Sequence, residues 1–445
     1  MAEKKTSQSG KSSAKTNANR VVKAAGKYDT SKSVRDNSDA IKEVVTATAT
    51  SAARSSNKKQ KKLYIALLII LIIAIVGVLI FGYYKGWFDD ILHPQGPDGN
   101  GGGGGSGTVA DMSIHFLELG YNSNGDSIYI KAGDTDILID AGSEKGSAKA
   151  ITSYVDKYCT DGKLEYVIAT HADSDHIAAF VGTSSAEGIF DHYECETIIQ
   201  FAATSKVGSK ETQIYRDYCT KRNAEQAAGA NVYTALDCVK EINGAKKVYQ
   251  LAEGITMEVL YQKYYEVSTS NENDHSVCLL FTQGTKNYLF LGDLEEDGEA
   301  SLVECNPNLP EVELYKAGHH GSKTSANEVL LSVIKPKYIC ICCVAGNVEY
   351  LTSGTQNLHN TFPTQDFINR IAPYTDKVYV TGQTTIKKNS NDRWVNDTYS
   401  PMNGNIVFSC VNGEITINCT NNNTLLKDTE WFAANRDCPE AWKQA

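Results

Sequence analysis

The chain has 445 residues and a formal net charge of −10 at pH 7, but this charge is unevenly distributed. Residues 1–62 contain 15 Lys or Arg and 5 Asp or Glu, so they carry about +10 and the remainder about −20. An acidic remainder argues against broad electrostatic binding of nucleic acid, which requires a basic face. We therefore expect no stable nucleic-acid complex. Local binding by a basic strip stays an alternative, and the lysines of that strip are Lys316, Lys323, Lys335 and Lys337.

The first two segments are predicted to be a tail and a membrane span. Residues 1–62 are rich in Ser, Lys, Ala, Thr and Asn, so they cannot bury enough apolar surface to order themselves, and we expect a disordered cytoplasmic tail. Residues 63–84 contain no charged residue, and about 20 apolar residues suffice for a transmembrane helix. A cleaved signal peptide is the alternative, but its apolar core would be shorter and nearer the N terminus. The basic side stays inside, so the body is expected outside the cytoplasm, anchored to the cell membrane.

After the span, residues 85–111 are predicted to be a Gly-rich linker, because the run Gly101–Gly105 favours a flexible tether. Residues 112–420 are predicted to form one catalytic domain, and residues 421–445 a C-terminal extension of unassigned role. All twelve cysteines follow the span, and an even number in an exported region permits disulfides.

Alternating or continuous apolar runs predict the strands of the body. They are expected at Ser113–Leu119, Ser127–Ala132, Thr135–Asp140, Tyr166–Thr170, Thr197–Phe201, Thr256–Tyr261, Val277–Thr282, Tyr288–Leu291, Val312–Lys316, Tyr338–Val344, Lys377–Thr381, Thr385–Lys388, Asn405–Cys410 and Glu414–Asn418. Helices are expected at Ala148–Tyr158, Glu211–Ala228, Glu295–Val303, Asn327–Ile334 and Thr364–Ala372. Two β-rich halves with helices outside predict an α/β fold, a β-sandwich between helical layers.

The strand ending at Thr170 is followed by His171-Ala-Asp173-Ser-Asp175-His176. Four metal-ligand side chains within six residues can converge on one point, and mixtures of imidazole and carboxylate suit zinc, manganese or iron. Two further strands end in Asp293 and in the pair His319-His320. Together these segments predict a site for two divalent ions.

These motifs resemble the metallo-β-lactamase superfamily, whose signature is His-x-His-x-Asp-His; here Asp173 stands at the second His. The variant resembles two branches in particular, the hydrolase domain of the ComEC competence proteins and the teichoic-acid phosphorylcholine esterases. The opening Phe116-Leu-Glu-Leu-Gly with Gly125-Asp126, the Ile137-Leu-Ile-Asp140-Ala-Gly motif and Leu358-His359-Asn-Thr-Phe-Pro follow in the family's order. The resemblance implies the αββα metallo-β-lactamase fold.

The resemblance also implies residue roles. His171 and Asp173 would bind one metal, Asp175 and His176 the other, Asp293 would bridge them, and His319 would complete the second site. Asp175 would orient the nucleophile, with His320 and His359 as further catalytic donors. The substrate-binding candidates are Lys316, Ser322 and Lys323, although a solvated surface role is equally open for the lysines. The third ligand of the first metal has no clear match; the weak candidates are His192, His275, Asp274 and Asn273.

Two divalent ions, with zinc expected and manganese as the alternative, lower the pKa of a bound water, so a hydroxide becomes the nucleophile near neutral pH. A carboxylate-rich site suits phosphodiesters, so we predict a membrane-anchored extracytoplasmic phosphodiesterase. Its substrate would be nucleic acid or a phosphorylcholine or cell-wall phosphodiester, and both small and polymeric substrates are open. The alternatives are a catalytically silent metal-binding or scaffold protein of the same fold, and a lactonase or β-lactamase-type hydrolase.

Overall fold

The computed structural model describes residues 109–351 and 357–443. The predicted tail (1–62), the predicted membrane span (63–84) and all but the last three residues of the predicted linker lie outside the described residues. Within the two described ranges, no helix is both long and apolar enough to cross a membrane.

The described body contains two eight-stranded mixed sheets. Their strands are β1 Met112–Phe116, β2 Ile128–Ala132, β3 Thr135–Ile139, β4 Lys163–Ala169, β5 Glu194–Gln200, β6 Asn231–Thr234, β7 Val248–Ala252, β8 Ile255–Leu260, β9 Cys278–Gln283, β10 Lys286–Phe290, β11 Leu314–Lys316, β12 Tyr338–Ala345, β13 Val378–Lys388, β14 Trp394–Pro401, β15 Ile406–Val411 and β16 Glu414–Cys419. The first sheet has the order β16-β15-β1-β2-β3-β4-β5-β6, and the second has the order β14-β13-β12-β11-β10-β9-β8-β7.

Helices cover the outer faces of both sheets. They are α1 Ala148–Val155, α2 Ser174–Val181, α3 Ile189–His192, α4 Gln213–Ala228, α5 Ala235–Lys240, α6 Glu296–Cys305, α7 Glu328–Ile334, α8 Gln365–Ile371, α9 Glu430–Asn435 and α10 Glu440–Lys443. Apolar residues of α1 and α2 pack on the first sheet, and those of α6, α7 and α8 pack on the second.

Strand β10 shows why the architecture has four layers. Successive side chains of a strand point to opposite faces. Tyr288 and Phe290 belong to the core between the sheets, where Phe290 stacks on Phe116 of the first sheet with ring centres 6.3 Å apart. Leu289 and Leu291 belong to the core beneath the helices. The predicted mixed α/β fold with two sheets is therefore confirmed.

The predicted strands agree with the structure to within a few residues, with two differences. The segments 377–381 and 385–388 form one long strand, β13, and the strands β6, β7 and β14 were missed. Helix α2 was also missed, because its first turn consists of polar residues from the metal motif. The C-terminal residues form α9 and α10, whose Phe432 and Trp442 are buried in the core beneath the helices.

The cysteines form no disulfide. All twelve have free thiols, and most of them are buried. Cys340, Cys342 and Cys343 lie in β12 as the apolar run predicted, and they pack alternately into the two cores.

Candidate metal centre

The candidate centre lies where strands of both sheets end. His171 follows β4, Asp293 follows β10, and His319 and His320 follow β11 in a short 3-10 turn. Strands β10 and β11 are parallel neighbours, so their carboxyl ends deliver their side chains to the same edge. The sequence motifs therefore meet because each follows a strand that ends at this edge.

The motif loop is held against the loop after β3 by close backbone packing. Asp173 is the N-terminal cap residue of α2, and Asp175 and His176 lie in its first turn. A Cβ at Gly142 would lie 1.5 Å from the carbonyl oxygen of Asp175, so only glycine fits there. The two loops are also joined by a backbone hydrogen bond, in which the His176 carbonyl accepts from the Ala141 N–H at 2.8 Å.

Four side chains form the most complete group of potential ligands: Asp175, His176, Asp293 and His320. One ligand atom from each lies within 4.8 Å of all the others. Asp293 Oδ2 is 3.0 Å from His176 Nε2 and 3.2 Å from His320 Nε2, which in turn is 3.2 Å from Asp175 Oδ2. Ligand atoms about 2.1 Å from a tetrahedral ion would be about 3.4 Å apart, so the spacing fits one divalent ion.

The fold fixes which ring nitrogen of each histidine faces the carboxylates. His176 Nδ1 donates to Asp140 Oδ2 at 2.8 Å, and His320 Nδ1 donates to the Cys342 carbonyl at 2.8 Å. The Nε2 atoms of both rings are therefore left for ligation, as is usual in metal sites. The backbone of His320 is left-handed, with φ 53°, a strained conformation that costs about 1–3 kcal/mol and turns this ring inward.

A second, less complete group lies beside the first. His171 is fully buried, and its Nε2 has no hydrogen-bond partner among the described residues. That atom is 3.7 Å from Asp173 Oδ2, whereas Asp173 Oδ1 is paired with the ammonium of Lys206. The orphaned nitrogen fits a metal ligand, but this group offers two ligands where the first offers four.

Glu272 positions Lys206. Its buried carboxylate accepts from the Ala172 N–H at 3.0 Å, within the metal motif. It also accepts from the Thr204 hydroxyl at 2.8 Å and from the Ser205 N–H at 2.6 Å. Glu272 thus ties the loop that carries Lys206 to the motif loop.

Behind the centre, Lys316 forms a buried ion network. The side chain is 1% exposed, and its ammonium pairs with Asp126 Oδ2 and lies 3.3 Å from Asp293 Oδ1. It also donates to the Gly292 carbonyl at 2.8 Å. Asp126 Oδ1 lies 3.2 Å from His320 Nδ1, so Asp126 links the lysine to the histidine.

The charges at the centre shift several pKa values. Burial alone would raise the pKa of Asp293, but His176, His320 and Lys316 outweigh it and hold that pKa well below its usual value. Burial, aided by the neighbouring His176, lowers the pKa of His171 well below its usual value, so this ring is neutral and able to ligate. Burial would also lower the pKa of His176, but Asp293 and Asp140 raise it well above its usual value. The negative charge that favours a proton on that ring equally favours a divalent cation.

His319 lies at the rim of the group, not within it. Its Nδ1 donates to Glu295 Oε1 at 2.7 Å, and its Nε2 is 4.0 Å from Asp293 Oδ2. The hydroxyl of Tyr350 lies 3.4 Å from the same Nδ1. The geometry therefore favours His320 for the ligand role that sequence reasoning gave to His319, and it leaves His319 beside the group, held by Glu295.

The substrate-binding candidates separate into buried and exposed residues. Lys316 is buried, and its ammonium lies among internal acceptors. Ser322 is fully buried, and its hydroxyl is 2.7 Å from Thr324 Oγ1. Lys323 is exposed, with its ammonium 5.2 Å from the centre of the Tyr350 ring. His359 lies in the 3-10 turn Leu358–Asn360, outside the group of four.

The weak candidates for a third ligand of the first metal all have other partners. His192 lies at the surface between Asp156 and Glu187, and His275 donates to the Tyr264 carbonyl from a buried position. Asn273 donates to Glu295 at 3.0 Å and does not reach His171. Burial, followed by the nearby carboxylates of Glu295 and Asp297, raises the pKa of Asp274 to about 6, and its Oδ2 accepts from the Asn271 amide at 3.2 Å.

Sequence reasoning missed Asp126, Lys206, Glu272 and Glu295 as parts of the site. Asp126 could have been found from the sequence, because it follows Gly125 in the opening motif of the family. It was not chosen, because no other potential metal ligand lies near it in the sequence. Glu295 lies two residues after Asp293 and was assigned to a helix that begins one residue later. Lys206 and Glu272 lie in loops, and only the fold shows that they meet the motif.

Asp140 does not lie among the four ligands but supports one of them. It accepts from the Thr170 N–H at 2.8 Å and from the Thr170 hydroxyl at 2.7 Å, besides His176. We expect Asp140→Asn to weaken metal affinity by about 10–100-fold, because the His176 ring loses its anionic acceptor. Competition with a chromophoric chelator measures this change. The matched control is Asp156→Asn, which removes the acceptor of surface His192; equal affinities in the two variants would contradict the supporting role.

Comparison with known proteins was consistent with this geometry. Residues 120–188 match the model of the metallo-beta-lactamase superfamily. ComE operon protein 3 of Bacillus subtilis (strain 168) is 23% identical over 190 residues, which are 42% of this chain and 20% of that protein. Recombination protein 2 of Haemophilus influenzae is 26% identical over 255 residues, which are 56% of this chain and 26% of that protein. The chain thus spans about a quarter or less of these relatives.

Solved structures resemble the chain only distantly. A metallo-beta-lactamase of Cronobacter sakazakii with a HARLDQ motif is 15% identical, with a TM-score of 0.26, and the match covers 44% of this chain and 75% of that one. This score is too low to bear on function. The superfamily match, by contrast, includes Asp126, Asp140 and the whole motif from His171 to His176, around which the centre is built. Residues 120–188 of this chain thus resemble the metallo-beta-lactamase superfamily, and the chain is also similar over part of its length to Competence protein ComA of Neisseria gonorrhoeae, which is 30% identical over 106 residues, 24% of this chain and 15% of that protein.

Proposed function

We propose that this chain is a metal-dependent phosphodiesterase whose catalytic body is held outside the cytoplasm by a membrane span at residues 63–84. The observation that carries the activity is the convergence of Asp175 and Asp293 on His176 and His320, with Asp173 beside them. Bound divalent ions would supply Lewis-acid charge for the phosphoryl oxygens and a hydrolytic nucleophile near neutral pH. Imidazoles suit zinc and carboxylates suit manganese, so this mixed group fits either ion, with zinc expected and manganese as the alternative.

The residues around the ligands have separate tasks in this proposal. Asp175, partly exposed, reaches the group from the open side and orients the attacking group. His319 is held by Glu295 and points its Nε2 toward the reacting phosphate. Lys323, beside Tyr350, supplies an exposed positive charge for a phosphate oxygen. Lys316 and Asp126 hold His320 and Asp293 from behind.

Two phosphodiester classes are the proposed substrates. The names of two relatives, for competence and for recombination, favour a nucleic acid. The net charge of about −20 after residue 62 favours instead a short or less charged ester, such as a phosphorylcholine or wall-polymer linkage. Asp173 at the second motif position argues against β-lactam hydrolysis.

The test is turnover by the purified full-length chain supplied with Zn²⁺ or Mn²⁺. Bis(p-nitrophenyl) phosphate, p-nitrophenyl phosphorylcholine and single-stranded DNA represent the phosphodiesters, and nitrocefin represents β-lactams. We expect phosphodiester turnover that Asp175→Ala lowers by about 10³-fold, because the variant loses a group that acts at the reacting centre. His192→Ala is the control, a surface histidine that should leave turnover unchanged. Absence of phosphodiester turnover with either metal, or nitrocefin turnover alone, would contradict the proposal.

Membrane placement needs a separate test. A protease added to intact cells should digest the body, because the predicted span would leave it outside. A body that stays intact until the cells are lysed would overturn the placement without bearing on the chemistry.

A further inference from the structure

A cleft of about 580 Å³ opens between the second sheet and the C-terminal segment. Strands β13 and β14 supply one wall and residues 421–434 supply the other. The volume lies within the range of about 300–1,000 Å³ that is usual for small-ligand sites. Nothing in the metal chemistry uses this cleft, since none of its lining residues belongs to the centre.

The lining combines one aromatic ring with many neutral polar groups. The ring is the indole of Trp431, and the polar groups are the amides and hydroxyls of Gln383, Thr384, Thr385, Ser400, Asn421, Asn422, Thr424 and Thr429. Two carboxylates, Asp428 and Glu430, complete the polar lining, and no Lys, Arg or His contributes to it. The chemistry therefore disfavours a phosphate or a nucleic acid, which needs positive charge, and disfavours a purely apolar ligand.

Several lining groups have no partner in the described residues. The Gln383 amide, the Ser400 hydroxyl and the indole N–H of Trp431 make no hydrogen bond to another described group, and the carboxylates of Asp428 and Glu430 are exposed. Hydrogen-bond donors and hydrogen-bond acceptors therefore both line the cleft. This mixture matches the hydroxyl groups of a sugar, each of which both donates and accepts.

The walls of the cleft are fixed before any ligand binds. The side-chain amides of Asn421 and Asn422 donate to the Met402 carbonyl at 2.7 and 2.8 Å. The Arg436 guanidinium lies 4.6 Å from the centre of the Trp431 ring, and it donates to the Pro363 carbonyl at 2.9 Å. A ring and amides that are already held lose little entropy when they bind a ligand.

We propose that this cleft binds an uncharged pyranose ring of an oligosaccharide, with its apolar face on Trp431 and its hydroxyls on the amides and on Asp428. The cleft is linked to the metal centre by a short segment. A Cβ at Gly346 would lie 3.2 Å from Trp431 Nε1, and four residues later the Tyr350 hydroxyl lies 3.4 Å from His319 Nδ1. Four Cα steps span at most about 15 Å, so this segment brings a residue that contacts the cleft close to one that contacts the metal centre.

Calorimetric titration of the full-length chain with cellotetraose and with chitotetraose tests this proposal. We expect at least one tetrasaccharide to bind, and the thymidine tetranucleotide not to compete. Trp431→Ala and, separately, Asp428→Asn should each weaken binding by about tenfold or more. Asp428 is exposed, so its variant keeps the test valid if the loss of the half-buried indole unfolds the chain.

Two controls separate the cleft from the rest of the molecule. Tyr158→Ala removes an exposed aromatic ring that does not line the cleft and should bind as the unmodified chain does. Asp293→Asn should also bind normally, so failure of the phosphodiesterase proposal would not affect this result. Binding of neither tetrasaccharide, unchanged binding in both cleft variants, or competition by the tetranucleotide would each overturn the proposal.

Discussion

Asp293→Asn is expected to remove the tightly bound metal and to lower phosphodiester turnover by about 10³-fold, which corresponds to about 4 kcal/mol. The Asp293 carboxylate lies 3.0 Å from His176 Nε2 and 3.2 Å from His320 Nε2, so it is close to both histidine rings of the group. An amide retains the volume but loses the charge that attracts a divalent ion. Elemental analysis of the dialysed protein gives the metal content, and bis(p-nitrophenyl) phosphate gives the rate.

The matched control is Asp173→Asn. Asp173 lies outside the group of four and already pairs with Lys206, so this variant should keep the metal of the complete group. Equal metal loss in the two variants would show that the centre binds its ions as one unit. It would contradict the division into a complete group of four ligands and a less complete group around His171.

Lys316→Met is expected to destabilise the metal-free protein by about 3–5 kcal/mol. The change leaves Asp126 and Asp293 buried without the ammonium that lies between them. Urea unfolding measures the free energy, and the double variant Asp126→Asn/Lys316→Met should recover part of it, because one of the stranded charges is then absent.

Lys335→Met is the control for removing a lysine as such. Lys335 and Glu311 form an exposed pair, and such pairs contribute about 0–1 kcal/mol. A Lys316→Met variant that unfolds at the same urea concentration as Lys335→Met would show that the buried network adds nothing to stability.

Strands were predicted best where one face of the strand, or both faces, are buried. β12 is apolar throughout and β10 is apolar from Tyr288 onward, because both faces are covered there, and this made them visible as short apolar runs. β14 was missed because this edge strand has no buried residue, so its sequence shows no apolar face. The edge strands β6 and β7 were missed because they have only four and five residues, too few for a clear alternation, although β7 buries Tyr249 and Leu251.

The motifs predicted that a metal site exists, but not the geometry of each residue. The pair His319-His320 shows the limit: both backbones are left-handed, so neighbouring rings point to different places, and spacing alone cannot choose between them. Lys316 looked available for substrate in the sequence, because nothing marked Asp126 as its partner 190 positions earlier. Contacts between loops that are distant in the sequence form only in the complete fold, so local sequence patterns do not reveal them.

The ion pair between Lys206 and Asp173 would change when a metal binds beside it. Asp173 faces His171 with Oδ2 and Lys206 with Oδ1, so a divalent ion held at the His171 position would share the carboxylate and would weaken its pairing with the lysine. Glu272 would still tie residues 204 and 205 to the motif loop, so the less strongly paired positive charge would stay near the site. Loading would thereby convert an internal ion pair into an anion-attracting group at the mouth of the site, and the empty and loaded proteins would differ in their affinity for an anionic inhibitor.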